Sequence, residues 1–424
     1  MRITIINWTR RRVGGVESYL NSVIPALLER GHKVSFWYET NEPAEREQIA
    51  LAEGFTSWCV SDLGAAEALA ALERWQPEVI YAHGLLDPKL EASTLKIAPA
   101  IFFAHNYYGT CISGAKAFKS PVVIPCERQF GLKCLLHYYP HRCGGWSPLT
   151  MFREYHRQSE RLKILSDYRA IVTHSQHMQD ELVRHGFKRE HVHDLLYYVR
   201  HQHQSLKGEV QRRADFSSQL SSTVSGVPDK RASNSASTEW RLLFLGRMDF
   251  LKGGETFLEA LPHISAALKR PLRVTFSGDG PQRQRWEEQA ARVQELDQKV
   301  KIDFTGWLMG TQLESQMSDC DLLVLPSLWP EPFGLVGPEA GLRGIPVAAF
   351  AVGGIPNWLV DGVNGHLAAG DPPTAQGLAH AVINCLRDAK THARLGQGAR
   401  DMAQRFNMEN HLSALLEVFE KTLA

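Results

Sequence analysis

Two glutamates eight positions apart, with a glycine between them, are the residues of this sequence best suited to chemistry. Glu331, Gly334 and Glu339 lie in the stretch Ser327–Ala340, just after an apolar run that predicts a buried strand. Backbone N–H groups at the start of a helix can bind a phosphate. An ionised carboxylate accepts hydrogen bonds from hydroxyl groups. The stretch therefore predicts a site for a phosphate with a polyol beside it, as in a nucleotide-sugar.

A second charged group follows the apolar run Leu242–Leu245, in the segment from Gly246 to Gly253. Arg247 and Lys252 are five positions apart in this segment, and two such cations can flank a diphosphate. A glycine at the end of a strand lets the backbone approach a ligand closely. An arginine and a lysine in a loop are often only solvated charges. Their position before a helix instead favours stabilisation of a leaving diphosphate.

Two polar segments in the first half of the chain also follow strand-like runs. Gly14 and Gly15 come after the first run and begin a helix, although a structural turn would explain them nearly as well. His105 and Asn106 follow the run Ile101–Ala104. Ligands of open α/β sheets bind outside the carboxyl ends of the strands. We therefore expect these residues to face a common cleft with the glutamates.

Together these motifs resemble those of retaining glycosyltransferases of family 4, which have the GT-B fold. The resemblance covers nearly all of Trp240–Lys390 and is looser in the first half of the chain. It implies an α/β protein with two Rossmann-like, doubly wound domains that face each other across a cleft. One departure is Asn357, where the family pattern has an acidic residue after Gly-Gly-Ile-Pro.

The resemblance also implies a role for each candidate residue. His105 and Glu331 would contact the transferred sugar, and Arg247 and Lys252 would stabilise the diphosphate. Glu339 would bind the ribose. The implied donor site further contains Gly14, Gly15, Asn106, Gly246, Gly306, Phe333, Gly334, Leu335 and Val336, the last three through their N–H groups. The implied catalytic residues are therefore His105, Arg247, Lys252 and Glu331. The other residues named here are the implied donor-binding residues.

No residue stands out as a covalent nucleophile. In the family the donor's own phosphate is thought to take the acceptor proton, so that the protein contributes positioning and charge stabilisation. The pair Asp319 and Asp321 matches an Asp-x-Asp metal pattern, but it precedes a buried strand and we interpret it as structural. We expect no cofactor and no catalytic metal, with a UDP- or GDP-sugar as donor substrate.

Short apolar runs alternate with helical patterns along most of the chain, which predicts βαβ units and parallel sheets. The predicted strands are Ile3–Trp8, Val34–Tyr38, Val79–His83, Ile101–His105, Ala170–His174, Leu242–Arg247, Val274–Ser277, Val300–Thr305, Asp321–Pro326 and Pro346–Phe350. Between them lies a polar, serine-rich stretch that is typical of a linker or insertion. The predicted parts are an acceptor-binding domain (1–204), the linker (205–239), a donor-binding domain (240–405) and a C-terminal helix (406–424) that, by the resemblance, crosses back to the first domain.

The charge of the 424-residue chain is nearly balanced, with a formal net charge of +1, which argues against a nucleic-acid partner. It is unevenly distributed, because residues 101–203 contain 14 Lys and Arg against 8 Asp and Glu. This excess fits a face for phosphorylated partners or an anionic membrane, or a solvated basic face without a partner. The acceptor could be a saccharide, a lipid-linked saccharide or a small molecule.

Four of the seven cysteines lie in one loop, residues 106–146, at Cys111, Cys126, Cys134 and Cys143. Their spacing lacks the short half-site of most zinc sites. A structural zinc or redox site is therefore one interpretation, and a loop of unpaired, partly buried thiols is the other.

The segment Trp146–Tyr168 reads as a basic helix with apolar residues interspersed. It could lie on an anionic membrane or pack as an ordinary surface helix. We find no secretory signal and no apolar run long enough to cross a bilayer, so a cytoplasmic protein with at most a peripheral membrane contact is expected.

The sequence as a whole predicts a retaining, metal-independent hexosyltransferase. A GT-B sugar epimerase or phosphorylase is the alternative among enzymes, and a non-catalytic nucleotide-sugar-binding protein is the alternative outside them. Loss of motif residues would favour the non-catalytic binding protein. The motif residues Arg247, Lys252, Glu331 and Glu339 are all present, however.

Overall fold

A computed structural model describes residues 1–199 and 239–423. The strands of residues 1–199 are β1 (Arg2–Thr9), β2 (Lys33–Thr40), β3 (Ser57–Cys59), β4 (Val79–Ala82), β5 (Ala100–Phe103), β6 (Ala117–Phe118), β7 (Ile124–Pro125), β8 (Ala170–Thr173) and β9 (Val192–Asp194). The helices are α1 (Gly15–Glu29), α2 (Val60–Leu63), α3 (Ala65–Trp75), α4 (Pro88–Thr94), α5 (Lys133–His137), α6 (Pro148–Leu165) and α7 (Gln176–Arg184).

The strands of the second part are β10 (Trp240–Leu245), β11 (Leu272–Ser277), β12 (Val300–Gly306), β13 (Leu322–Leu325), β14 (Val347–Phe350) and β15 (Gly365–Ala368). The helices are α8 (Gly254–Ala267), α9 (Arg283–Leu296), α10 (Gly310–Ser318), α11 (Val336–Leu342), α12 (Ala375–Leu386), α13 (Ala389–Ala403) and α14 (Met408–Leu423). Single 3-10 turns occur at Arg189–His191, Phe250–Lys252 and Ile355–Asn357.

Two parallel sheets organise these elements. The first has the strand order β3-β2-β1-β4-β5-β8-β9, and the second has the order β12-β11-β10-β13-β14-β15. The interior strands β4, β5, β8, β13 and β14 are apolar and buried throughout, because helices cover both faces of a doubly wound parallel sheet. The predicted α/β, GT-B architecture with two Rossmann-like sheets is confirmed.

Every predicted strand is present, and several end one or two residues earlier than predicted. The polar residues at the predicted ends, such as His83 and His105, belong to the loops that leave the sheet. The short strands β3, β9 and β15 and the hairpin β6–β7 were missed, because they are too short for a periodic signal and none contains a continuous apolar run of four residues. The predicted linker 205–239 falls almost entirely outside the described residues, so the domain boundaries beside it stay predictions.

Each sheet reverses its strand order once, between β1 and β4 in the first sheet and between β10 and β13 in the second. A crevice opens at such a switch point, outside the carboxyl ends of the strands. The loops that follow β1, β4, β10 and β13 are therefore the ones placed to bind a ligand. They carry Gly14, His83, Arg247 and Glu331, respectively.

The last helix, α14, lies on the first domain, where it contacts α1 and β5. Its His411 donates from Nδ1 to the carbonyl oxygen of Leu196 at 2.8 Å and approaches the hydroxyl of Tyr19 at 2.6 Å through Nε2. The ring of Phe419 packs edge-on against Tyr81, 5.3 Å between centroids. Among the described residues, no helix is long and apolar enough to cross a bilayer.

Replacing Leu415 in α14 by alanine should destabilise the first domain. The side chain of Leu415 is fully buried, and deleting a buried leucine costs about 2–5 kcal/mol. Leu416→Ala is a matched control, because this neighbour is only partly buried. The melting temperature of Leu415→Ala should fall clearly below that of Leu416→Ala. Equal melting temperatures would contradict the docking of α14.

Candidate functional site

The ends of β10, β11 and β12 are held side by side by glycines. The N–H of Gly246 donates to Ser277 O at 3.0 Å, and the N–H of Gly278 donates to Gly306 O at 2.8 Å. A Cβ on Gly278 would lie 1.9 Å from Gly246 O, so a side chain would force these loops apart. The predicted donor residues Gly246 and Gly306 thus line adjacent loops at one edge of the second sheet.

The loop that carries Lys252 is pressed against the end of β13. It forms a 3-10 turn that begins with the Asp249 carboxylate accepting from Leu251 N at 3.1 Å. Gly253 ends the turn with φ +70°, a conformation that favours glycine. A Cβ there would lie 1.8 Å from Pro326 O. This close approach brings Lys252 to the loop after β13.

Lys252 and Glu331 form an ion pair within that contact. The Lys252 ammonium is 2.5 Å from Oε1 of Glu331, and the hydroxyl of Ser327 donates to the same oxygen at 2.6 Å. The Lys252 side chain is 28% exposed and that of Glu331 only 7%. Glu331 is therefore held by two donors, while Lys252 keeps one side toward solvent. The ammonium also lies 5.3 Å from the ring centroid of Trp329.

Both partners of this pair retain hydrogen-bonding capacity. An ammonium has three N–H donors, and Glu331 is its single hydrogen-bond acceptor among the residues that the structure describes. Oε2 of Glu331 likewise accepts from no donor in residues 1–199 and 239–423. One carboxylate oxygen can thus still accept from a hydroxyl, and two ammonium protons can still be donated to phosphate oxygens.

The backbone of Gly353 and Gly354 packs directly against the backbone of Glu331. The N–H of Gly354 donates to Glu331 O at 2.6 Å, and a Cβ on Gly353 would lie 2.2 Å from that same oxygen. Any larger residue at Gly353 would displace Glu331. Asn357, the departure from the family pattern, follows directly and is exposed.

The turn before α11 presents unpaired backbone donors. Gly334 has φ +83° and is followed by Leu335 and Val336, and within the described chain none of these three N–H groups has a protein acceptor. Glu339 lies in the first turn of α11 and is partly exposed. The arrangement suits a phosphate at the turn with Glu339 one helical turn away.

Arg247 lies on the loop after β10 and is exposed. Its guanidinium has no acceptor and no carboxylate partner in the described residues, so it is free to bind an anion. This distinguishes Arg247 from Arg241, which lies within β10 and is paired with Asp321 at 3.1 Å. The Asp319–Asp321 pattern accordingly includes a structural carboxylate.

The glycine loop of the first domain faces the turn before α11. An ideal Cβ on Gly15 would be 4.0 Å from Cδ1 of Leu335, so the two loops lie close to each other across the cleft. The N–H of Gly14 is already used, because it donates to Oε2 of Glu17 at 2.9 Å. The N–H of Gly14 is therefore not a free donor for a ligand.

His105 is paired with His83, whose ring lies at the switch point of the first sheet. Nε2 of His105 and Nδ1 of His83 are 2.8 Å apart. Burial lowers the pKa of His83 to about 3, and burial together with His83 lowers the pKa of His105 well below its usual value. Both rings are neutral at pH 7, so one donates and the other accepts. Asn106 is exposed beside them, and its side chain has no partner among the described residues.

His83 was not among the site residues predicted from the sequence. Its position at the end of β4, beside the switch point, was the available signal. His411 was missed for a different reason: it is more than 300 residues from His105 in the chain. Burial lowers the pKa of His411 to about 4, so neutral His411 accepts from Tyr19, which accepts in turn from Tyr81 at 2.8 Å.

Two hydroxyl groups of the first domain bind the Glu331 segment directly. Tyr107 donates to Pro330 O at 2.6 Å, and Ser175 donates to Pro332 O at 2.6 Å. These carbonyls belong to the residues immediately before and after Glu331. Both hydrogen bonds join the first domain to the second, so the position of Glu331 depends on the packing of the two domains.

Phe333 has a packing role in the same contact. Its ring lies 5.7 Å from the rings of both His174 and Tyr197 and 5.5 Å from that of Phe406. Its carbonyl accepts from the indole N–H of Trp358 at 2.6 Å. The ring is therefore occupied by inter-domain packing, and the predicted donor contact of Phe333 is left to its backbone.

The cysteine loop does not form the zinc site considered from the sequence. In the described part of the chain, no three His, Cys, Asp or Glu side chains are placed to hold a metal ion, and Cys111, Cys126, Cys134 and Cys143 are free. The thiols of Cys143 and Cys134 approach backbone carbonyls instead, those of His137 and Gln129. Burial, and then the neighbouring cysteines, raise the pKa of Cys143 to about 12, which keeps this thiol protonated.

Two family profiles match this chain. The profile described as Glycosyl transferases group 1 matches residues 228–402, and that described as Glycosyltransferase Family 4 matches residues 13–194. Together they include every strand of both sheets except β1. The chain belongs to the group 1, family 4 glycosyltransferases of the GT-B fold.

Curated relatives match mainly one half of the chain. A D-inositol 3-phosphate glycosyltransferase of Xylanimonas cellulosilytica is 31% identical over 178 residues, which is 42% of this chain and 41% of that protein. A glycogen synthase of Mycobacterium tuberculosis is 31% identical over 179 residues, 42% of each chain. The matched region thus spans less than half the length of these relatives.

Solved structures match over almost the whole chain. HepE of Anabaena in complex with UDP and glucose superimposes with a TM-score of 0.63 at 19% identity, covering 99% of this chain and 100% of HepE. A sucrose-phosphate synthase of Thermosynechococcus elongatus gives a TM-score of 0.64 at 19% identity, with coverage of 99% and 98%. At this identity the likeness establishes the fold.

Replacing Tyr107 by phenylalanine should loosen the Glu331 segment. The change removes the hydrogen bond to Pro330 O, worth about 1 kcal/mol. Backbone amides of residues 327–336 should exchange with deuterium several-fold faster, as measured by hydrogen-exchange mass spectrometry.

Tyr108→Phe is the matched control, because the hydroxyl of Tyr108 is also buried but donates to Glu91 within the first domain, at 2.5 Å. It should leave exchange in residues 327–336 unchanged. If both variants accelerate that segment equally, the inter-domain bond does not hold it.

Proposed function

We propose that this protein transfers a hexosyl group from a nucleotide-sugar to a hydroxyl of its acceptor, with retention of configuration at the anomeric carbon. The observation that carries the proposal is the Lys252–Glu331 pair, with an unused carboxylate oxygen and unused ammonium protons at the switch point. Free N–H groups at Gly334–Val336 and the unpaired guanidinium of Arg247 lie on neighbouring loops. Two cationic side chains, a row of backbone N–H donors and one carboxylate thus lie on neighbouring loops of one cleft.

The proposed roles follow from these unused hydrogen-bond donors and acceptors and from the positive charges beside them. Arg247, Lys252 and the N–H groups before α11 stabilise the negative charge that develops on the departing diphosphate. Oε2 of Glu331 accepts from a hydroxyl of the transferred sugar, and Glu339 accepts from the ribose. His105, whose orientation is set by His83, contacts the sugar from the other side of the cleft. The acceptor oxygen bonds to the anomeric carbon as the bond to the phosphate oxygen breaks, and that oxygen takes the acceptor proton.

Cationic side chains and backbone donors supply the charge stabilisation in this proposal, so the reaction proceeds without a divalent metal. UDP is the favoured nucleotide, because solved structures of the same fold were obtained with UDP and UDP-glucose, and a GDP-sugar is the alternative. The acceptor is a saccharide, a lipid-linked saccharide or a small molecule. We place the protein in the cytoplasm, in peripheral contact with a membrane through its basic first domain.

An epimerase, a phosphorylase and a non-catalytic binding protein are the competing functions. The complete set of Arg247, Lys252, Glu331 and Glu339 argues against loss of catalysis. Nothing in the described site favours the two other enzymes over a transferase.

The purified protein should release UDP from a UDP-hexose, or GDP from a GDP-hexose, by slow hydrolysis or by transfer. Release measured with a coupled nucleotide assay should be unchanged by EDTA, because cations of the protein stabilise the leaving group. Anomeric proton NMR of the transferred product should show the donor's configuration. Loss of release in EDTA that is restored by magnesium would refute the metal-independent mechanism, and no turnover of any donor would refute the transferase.

Replacing Glu331 by glutamine or Lys252 by methionine should lower kcat by about 10²- to 10³-fold, the usual effect of removing one group that stabilises transition-state charge. Glu239→Gln is the matched control, because Glu239 also pairs with a cation, Arg273 at 2.9 Å, but lies at the opposite end of β10. It should retain full activity. Wild-type turnover in both site variants, with unchanged melting temperatures, would exclude the proposed roles.

A further inference from the structure

The cysteine loop and the start of α6 share a small apolar core of their own. Ile112, Tyr138 and Met151 are buried together in it, with Cys134 and Cys143 packed at its edge. This core fixes α5 and the first turns of α6 relative to each other. The outer surface of the same unit carries large apolar side chains that are between 56 and 83% exposed, namely Leu132, Leu136, Trp146, Leu149 and Phe152. We call these five residues the apolar patch.

The chain geometry places these side chains together. Leu132 and Leu136 are four positions apart at α5, and Leu149 and Phe152 are three positions apart in the first turns of α6, so each pair shares a helix face. Trp146 lies on the loop between the two helices, and its ring stacks on Tyr139 with 6.2 Å between centroids. Soluble proteins rarely expose so many large apolar side chains within one short segment.

The patch is surrounded by positive charge. Residues 128–157 contain five Lys and Arg against one acidic residue. Lys133, Arg142 and Arg153 are exposed, and the guanidinium of Arg142 lies 5.9 Å from the ring centroid of Trp146. Exposed tryptophan, leucine and phenylalanine next to arginine and lysine are the composition of surfaces that bind the interface of an anionic bilayer.

We propose that the apolar patch is the membrane-docking surface of this protein and that its partner is an anionic lipid bilayer. Trp146, Leu149 and Phe152 enter the headgroup region, while Lys133, Arg142 and Arg153 contact lipid phosphates. A second copy of the chain is the less suitable occupant, because two patches with the same positive charge would repel each other. This proposal defines the peripheral contact included in the proposed function.

The patch is close to the acceptor side of the cleft. Further along α6, Arg157 donates to Leu86 O at 3.1 Å and Arg161 to Leu85 O at 3.0 Å. These carbonyls lie on the loop that follows β4, directly after His83. The helical rise from Phe152 to Arg161 is about 13 Å. Docking through the patch would therefore hold the acceptor side of the cleft near the bilayer surface, where a lipid-linked saccharide would be presented.

The test is co-sedimentation of the full chain with vesicles of phosphatidylcholine containing phosphatidylglycerol, compared with vesicles of phosphatidylcholine alone. The protein should partition onto the anionic vesicles and be released by salt at about 1 M, where charges are screened. Leu149→Gln should weaken this partition about tenfold. Lys133→Gln should weaken it roughly fivefold, the usual effect of one basic residue at an anionic surface.

Leu296→Gln is the matched control. Leu296 is 86% exposed, slightly more than Leu149, but lies at the end of α9 in the second domain. It should bind vesicles like the wild type. The proposal is overturned if anionic vesicles bind no protein, or if Leu296→Gln loses as much binding as Leu149→Gln. It is also overturned if the only effect of Leu149→Gln is to dissociate a dimer, as measured by size-exclusion chromatography.

Hydrolysis of the donor, measured without vesicles, separates this proposal from the proposed function. Leu149→Gln should hydrolyse the donor at the wild-type rate, because the patch is outside the cleft. A protein that docks on vesicles but turns over no donor would refute the transferase and leave the docking surface standing.

Discussion

The hydrogen bonds from Tyr107 and Ser175 to the carbonyls on either side of Glu331 cross the boundary between the two domains. Groups of the first domain thus hold a segment of the second, so the carboxylate of Glu331 is not positioned by its own domain alone. Glu331 in turn binds Lys252 through Oε1, and the Lys252 loop rests on the end of β13. The geometry of the whole cleft thus depends on the contact that the segment Pro330–Phe333 makes with the first domain.

Glycine makes this contact possible. Positions 253, 353 and 354 each lie so close to a backbone carbonyl that a Cβ would approach it to within 2.3 Å. At Gly253 the backbone also has a positive φ that other residues rarely adopt. These glycines let three loops lie close enough for one lysine and one glutamate to pair.

The buried histidines that pack in the first domain carry no charge. Burial lowers the pKa of His83 and His174 to about 3 and that of His411 to about 4, so these rings are neutral at pH 7. In the second domain, Arg247 and Lys252 instead contribute positively charged side chains to the loop after β10. That division fits a diphosphate held by the second domain and a sugar contacted by the first.

The motifs and their order along the chain were sufficient to predict the two parallel sheets. They also predicted that Arg247 and Lys252 follow one strand of the second sheet and that Glu331 follows another. This is because apolar runs and strand-to-helix turns are local patterns, and parallel strands bring their carboxyl ends to one edge. Only the tertiary structure revealed the partners of those residues. His83 against His105, His411 against Tyr19, and Tyr107 against Pro330 join positions that are 22, 392 and 223 residues apart. It also showed that two of the clustered cysteines, Cys134 and Cys143, approach backbone carbonyls. Side-chain contacts between distant segments are decided by how the domains pack, and no local pattern encodes them.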